Sequence, residues 1–272
     1  MKRERPLIVL RGGGDLATGV ALRLHRCGFL LVVLEVEQPL AVRRLVSVAE
    51  AVYAGSASVE GLMARRAEDV SQASAFLAAG QIPVLVDPLA ATLAEWGAAA
   101  LVDARMRKQP PELGRQAAPL VIGLGPGFRP GIDCHAVVET NRGHHLGRVL
   151  WDRPAEQDSG VPEAVAGKVE SRVLRAPASG EMLAAIALGS LVEEDQLIAR
   201  IGGAEVRAPF RGALRGLLHD GLIVARGDKI GDLDPRGLVQ LCYEVSEKAL
   251  AVGGGVLEAL LSRPQLRSAL GS

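Results

Sequence analysis

A chain of 272 residues can fill one large domain or two ordinary ones, and two are expected here. Its 31 Lys and Arg balance 31 Asp and Glu, so no net field draws it to nucleic acid or to an anionic membrane, and neither is expected as a partner. No apolar run approaches the roughly 18 to 20 residues of a membrane-spanning helix, and Leu7 to Leu10 stops at Arg11 without forming an export signal, so a soluble cytoplasmic protein is expected.

The first elements read as a βαβ unit. Pro6 to Leu10 is a short apolar strand and Arg11-Gly12-Gly13-Gly14-Asp15 a glycine turn. Val20 to Cys27 is an amphipathic helix stopped by Gly28, and Phe29 to Leu34 is a second strand closed by Glu35 and Glu37. The spacing Gly12-x-Gly14-x-x-Ala17 fits the dinucleotide fingerprint, in which glycines let the backbone approach a pyrophosphate at a helix N-terminus. Glu35 or Glu37 follows about 20 residues later, where a ribose-binding carboxylate would sit. Asp15 cuts both ways, since its charge would cap the helix but repel a phosphate. Aromatics make up only 3% of the chain, while small aliphatic side chains abound, as in α/β layers.

Further along, Ile82 to Asp87 and Ala99 to Asp103 read as buried strands ending in a carboxylate, with a helical stretch from Leu89 to Trp96 between them. Ligands of open α/β sheets bind at the carboxyl ends of strands, which makes Asp87 and Asp103 candidates; otherwise each caps the element that follows. Arg105, Arg107 and Lys108 form a basic cluster that either meets an anionic ligand or is a solvated face. Pro119 to Ile122 is a further strand and runs into a second glycine turn, Gly123-Leu-Gly125-Pro-Gly127, so both turns are expected to line one crevice.

Residues 133 to 148 gather Asp133, Cys134, His135, Glu139, Arg142, His144, His145 and Arg148. Cys134 and His135 are adjacent and no second Cys/His pair follows at zinc-ligand spacing, so no metal site is expected. Cys27, Cys134 and Cys242 are widely separated, which excludes a disulfide framework; Cys134 is either a sulfur or selenium acceptor or a small buried residue on a strand. Alternation from His135 to Thr140 reads as a strand, followed by a polar loop at Asn141 to His144 where Arg142 suits an anion.

A polar, proline-containing run from Trp151 to Gly167 reads as a linker. Beyond it, residues 175–201 align without gaps on residues 207–233, 32 positions on, with identities at Arg175/Arg207, Ala176/Ala208, Pro177/Pro209, Gly180/Gly212, Gly189/Gly221, Val192/Val224 and Ile198/Ile230. One supersecondary unit is therefore used twice, and glycine-punctuated alternation makes it β. At the end, Ser246 to Leu261 reads as helical around Gly253-Gly254-Gly255, a triplet too costly inside a helix unless a turn or a close approach requires it.

The repeated A-P-x-x-G half-motif resembles the biotinyl/lipoyl domain family, a flattened barrel whose hairpin lysine carries a cofactor. Here Ala199 to Val206 holds no lysine, and Arg200 cannot be acylated in its place, so no biotin or lipoate is expected. The expected fold is α/β: a Rossmann-like parallel sheet over residues 1–155, a small all-β biotinyl/lipoyl-like barrel over 168–235, and a helical tail over 236–272 packing on the first domain. The strings RGGGDLATGVALRL, EVEQPLAVRR, VYAG, IPVLVDP, IGLGPGF, VVETNRGHHLGR and EKALAVGGGVLEALL together resemble the YqeB-type accessory family of selenium-dependent molybdenum hydroxylase systems, itself distantly similar to XdhC-type proteins that handle molybdenum cofactor.

That resemblance implies an accessory role in maturing enzymes similar to xanthine dehydrogenase, with the hydroxylase or a selenium-supplying enzyme as partner. It implies a phosphate-bearing ligand such as molybdopterin or a nucleotide, and it assigns no catalytic residue. The expected binding residues are Gly12, Gly13, Gly14, Asp15, Glu35, Gly125, Gly127, Glu139, Arg142 and His144. Two other functions fit the residues: an NAD(P)-dependent oxidoreductase, on the glycine fingerprint, and a non-catalytic module that docks a partner through the hairpin at Gly202-Gly203.

Overall fold

The computed structural model describes residues 5–107, 109–157 and 172–270. Lys108, the 158–167 part of the expected linker and the 168–171 start of the expected barrel lie outside the described residues. The chain divides into two compact units, one made of Met1–Pro39, Val48–Asp158 and Val245–Ser272, the other of Leu40–Ser47 and Ser159–Glu244. Each is described by itself.

The first unit is built on one sheet. Strand β1 (Leu7–Arg11) leads into helix α1 (Asp15–Arg26) and β2 (Leu30–Glu35), and a short α2 (Ala51–Ala54) precedes the hairpin of β3 (Ser56–Val59) and β4 (Leu62–Ala67). Helix α3 (Val70–Ala78) and β5 (Ile82–Val86) follow, then β6 (Ala100–Asp103), β7 (Val121–Leu124), β8 (Ala136–Val138) and β9 (Val149–Leu150). The sheet order is β3-β4-β5-β2-β1-β6-β7-β8-β9. Strands β4 to β8 pair in parallel, while β3 on β4 and β9 on β8 are antiparallel. The sheet is therefore mixed and nine-stranded, which corrects the expected parallel Rossmann-like sheet.

The β3–β4 hairpin turns on Glu60 and Gly61, both at positive φ (48° and 84°), the backbone a two-residue hairpin needs. Helix α3 starts at an Asp69 cap, whose Oδ1 accepts from Gln72 N at 2.7 Å. The central strands are buried on both faces, so they read as apolar runs rather than alternating ones. One face packs Val9, Val32, Leu85, Leu101 and Val137 against Val70, Phe76, Leu77 and Trp96.

Helices α4 (Glu247–Leu261) and α5 (Pro264–Leu270) close the unit. The glycine triplet lies inside α4, where close approach, not a turn, accounts for Gly253 and Gly255, while Gly254 faces open space. A Cβ on Gly19 of α1 would stand 2.5 Å from Ala249 O, and one on Gly253 would stand 2.6 Å from Gly19 O. The two helix backbones thus meet through Gly19 and Gly253, with only the Ala249 methyl beside them, and α1 is held from behind, leaving its N-terminus at the carboxyl edge of the sheet.

The second unit holds β10 (Val173–Arg175), β11 (Gly180–Ala184), β12 (Leu191–Val192), β13 (Leu197–Ile201), β14 (Ala204–Arg207), β15 (Gly212–Leu217), β16 (Ile223–Val224) and β17 (Lys229–Asp234). They form two four-stranded antiparallel sheets, β10-β17-β15-β12 and β14-β13-β11-β16. Advancing 32 residues carries β11, β12 and β13 onto β15, β16 and β17, so each sheet interleaves strands of both copies of the repeat.

Among the described residues no backbone ladder joins the two sheets, which corrects the expected small all-β biotinyl/lipoyl-like barrel, a barrel-sandwich hybrid. The repeat reports strands and turns, but β12 and β16 are only two residues long and leave the sheets open. An early segment completes this unit. Leu217 N donates to Val42 O at 2.8 Å, and the Arg43 guanidinium donates to the carbonyls of Leu241 and Glu244, both at 3.1 Å.

Candidate functional site

In sequence the strands leave β1 in two directions, through β2 and β5 on one side and through β6, β7 and β8 on the other. Such a switch opens a crevice at the carboxyl ends of the strands on either side of it. Here that edge carries the first glycine turn after β1, the Ala104 to Arg107 segment after β6, the second glycine turn after β7 and the Glu139 loop after β8.

Gly12 leaves β1 at φ +91°, a conformation open to glycine but strained for other residues. Gly13 is pressed against the chain, since a Cβ on it would lie 2.9 Å from Ala49 N. Its N–H donates to Glu35 Oε1 at 2.7 Å, and Val36 N donates to Glu35 Oε2 at 2.7 Å. Burial holds the Glu35 pKa above the usual carboxylate value, outweighing those two N–H groups and Arg105, which act to lower it. Both oxygens of Glu35 thus hold the turn, which is different from the ribose contact its position suggested.

Gly14 is the N-cap of α1, with extended backbone (φ −63°, ψ −177°) and no side-chain cap, and Asp15 occupies the first helical turn instead of capping it. A Cβ on Gly14 would meet nothing within 4 Å. Behind the turn Thr18 Oγ1 donates to Gly14 O at 2.9 Å and accepts from Val48 N at 3.0 Å.

Beside this turn lies a cluster of charge. Arg11, at the end of β1, is 2% exposed, yet carries a guanidinium that donates to Pro88 O at 2.8 Å and to Glu112 Oε2 at 3.3 Å. Asp103, buried at the end of β6, is held by Arg105 through both oxygens, at 2.9 and 2.6 Å, and lies 3.7 Å from Arg11. Glu112 also takes Arg105 at 2.9 Å and pairs with Arg107. Burial lowers the Arg11 pKa, with Arg105 and Arg107 adding to the effect and Asp103 and Asp87 opposing it. Asp87 serves mainly as a cap: Oδ1 accepts from Ala91 N and Oδ2 from Thr92 N, each at 2.8 Å. Burial alone would raise its pKa, but these bonds hold it low.

The segment after β6 touches both glycine turns. A Cβ on Gly12 would stand 3.1 Å from Arg105 Cγ; one on Gly125 would stand 2.6 Å from Thr140 Oγ1 and 3.2 Å from Met106 Cε, and one on Gly127 would collide with Arg107 O. The two turns, Arg105 and Thr140 therefore share one edge.

The Glu139 loop splits. Glu139 is buried, and its oxygens accept from Asn141 N and Glu156 N, each at 2.7 Å, so it pins the loop. Arg142 pairs with Glu247 in the first turn of α4. His144 stacks edge-on with His145 at 5.3 Å, and both line a cavity of about 410 Å³ with Arg148 and Glu258. Cys134 is buried and its thiol is pushed up to about 12, chiefly by burial, which removes it as a nucleophile near neutral pH. Burial lowers the His135 pKa, helped by Arg263 and Arg115, and its Nδ1 accepts from Val121 N at 2.9 Å. Among the described residues no group of three His, Cys, Asp or Glu side chains could hold a metal ion, and no helix is long and apolar enough to cross a membrane.

Sequence reasoning passed over Arg11, Thr18, Glu112 and Thr140. Arg11 carried one available signal, a cation directly between an apolar strand and a glycine turn.

No family model matches the chain. In overall shape it is weakly similar to an aspartoacylase family protein from Mesorhizobium loti, at 12% identity over 85% of each chain with a TM-score of 0.27. It is as weakly similar to the ectoine utilization protein EutE (DoeB) from Ruegeria pomeroyi, at 11% identity over 84% of this chain and 85% of that one with a TM-score of 0.28. Likeness at that level carries no argument about fold or chemistry. In sequence it is 50% identical over 267 residues to the uncharacterized protein YqeB of Escherichia coli (strain K12), which covers 96% of this chain and 49% of that protein, so the chain spans about half the length of the curated relative it matches.

Proposed function

We propose that this chain is an accessory protein in the maturation of selenium-dependent molybdenum hydroxylases, and that it binds a phosphate-bearing ligand, molybdopterin or a nucleotide, at the crevice of the two glycine turns. One observation carries the binding site. Gly12 is required by its positive φ and Gly13 by the Ala49 backbone, whereas Gly14 has an ordinary φ and open space where a Cβ would be. The fold does not demand a glycine there, and Ser, Thr, Asp or Asn would usually make a stronger cap. Close approach of a ligand to the backbone at the start of α1 gives that glycine a reason, and the free end of a helix suits a phosphate. Arg105 beside the turn adds a cation suited to the same group. The accessory role itself rests on kinship with YqeB and on the family resemblance.

An NAD(P)-dependent oxidoreductase draws less support, because both oxygens of Glu35 accept from Gly13 and Val36, which leaves only the exposed Glu37 to meet a ribose. Fluorescence or calorimetric titration of the purified chain with molybdopterin, ATP, GTP and NADH tests the reading, alongside Gly14→Glu. Saturable binding of one phosphate-bearing ligand that Gly14→Glu removes is expected, together with loss of hydroxylase maturation in cells. Absence of binding by all four ligands, with a variant that still supports maturation, would sink it.

A further inference from the structure

The charge cluster beside the first glycine turn has an asymmetry that an ordinary ion pair does not explain. Arg11 is buried at the end of a central strand, where an apolar residue would fill the space without the cost of desolvating a cation. Arg105 and Arg107 come from the segment after β6 and are 19% and 28% exposed. All three guanidiniums converge on one carboxylate, Glu112, whose side chain is 48% exposed. The other nearby carboxylates are occupied: Asp103 by Arg105, Asp87 by Ala91 and Thr92, and Glu35 by Gly13 and Val36.

We infer that Arg11, Arg105 and Arg107 are a phosphate-binding site, and that Glu112 is an intramolecular stand-in for the phosphate, displaced when a phosphate monoester or diphosphate binds. The inference rests on the proposed function, since it names the groups that hold that ligand's phosphate. Three forked guanidiniums present more donors than Glu112 and Asp103 together can accept, whereas phosphate oxygens accept from several guanidiniums at once. Displacing Glu112 costs little, because a carboxylate this exposed is screened by solvent and holds an ion pair weakly. Arg105 also lies against Gly12, so a phosphate taken up by the arginines would sit next to the start of α1.

Calorimetric titration of the full chain with inorganic pyrophosphate tests this, using Glu112→Gln, Glu112→Ala, Arg105→Gln and Gly14→Glu, each checked for native melting. Expected are an approximately ten-fold tighter Kd in both Glu112 variants, loss of binding in Arg105→Gln and weaker binding in Gly14→Glu. Wild-type binding that Gly14→Glu abolishes, with the Glu112 variants unchanged or weaker, overturns the stand-in and leaves the glycine-turn site standing. Tighter binding by the Glu112 variants with Gly14→Glu unaffected supports the arginine site and overturns its placement at the glycine turn. If neither the wild type nor the Glu112 variants bind pyrophosphate, the inference fails outright.

Discussion

Replacing Asp234 by asparagine should destabilise the β unit by about 2 kcal/mol at neutral pH and by almost nothing near pH 2. Asp234 ends β17 with its side chain fully buried. Its oxygens take the Arg236 guanidinium at 2.9 and 2.6 Å, Arg236 N at 3.1 Å and Arg215 at 3.2 Å. Burial alone would raise its pKa; the bonds from Arg236 and Arg215 outweigh that and bring it down to about 2, against an ordinary 3.8. A gap of nearly two pH units corresponds to roughly 2.5 kcal/mol, trimmed to about 2 because solvent reaches Arg236. The folded pKa is the lower one, so this stability is complete above the unfolded pKa and is lost as pH falls through the folded value. Hydrogen exchange of peptides covering β15 and β17, compared between the two proteins at each pH, isolates this unit; both tryptophans lie in the other one. Exchange should be roughly thirty-fold faster in the variant at pH 7, with the ratio closing toward one near pH 2. A ratio that stays constant with pH, or that is already near one at pH 7, would refute the assignment of the low pKa to these arginines.

Two other outcomes are expected. Gly19→Ala pushes a methyl group into the Ala249 backbone, so it should cost about 2 kcal/mol and lower the melting temperature by roughly 5 °C, read from Trp96 and Trp151 fluorescence; an unchanged melt would mean that α1 and α4 are further apart than described. Native alkylation with iodoacetamide at pH 8 should label exposed Cys27 and spare buried Cys134 and Cys242, all three reacting in denaturant; rapid native labelling of Cys134 would contradict its burial.

What was legible in the sequence followed from local chemistry. The β1–α1–β2 start declares itself because glycine, helix period and apolar runs agree there, and the repeat declares itself because its glycines recur 32 residues apart. The β3–β4 hairpin and α3 do not: Arg65 and Arg66 interrupt the apolar alternation of β4, and α3 is short and rich in Ser, Gln and Ala. Closure of a barrel depends on hydrogen bonds between sheets, which no spacing of glycines reports. The clustering of Glu139, Arg142 and His144 in sequence was equally silent on direction, and folding turns Glu139 inward onto Asn141 and Glu156 while Arg142 pairs with Glu247. Glu112 reaches Arg11 across 101 positions, a pairing no motif encodes.

The same contrast bears on Asp15 and Glu35, the two acidic residues that a fingerprint reading places at the ligand. A carboxylate in the first turn of α1 favours the helix dipole but opposes an incoming phosphate, so the sign of the site depends on what else stands there. Arg105 pairs with Asp103 and lies against Gly12, which places its charge within reach of the turn. With both Glu35 oxygens accepting from Gly13 and Val36, the exposed Glu37 is the carboxylate left near the end of β2 to meet a ribose diol, and Arg105 is the cation placed against the turn to meet a phosphate.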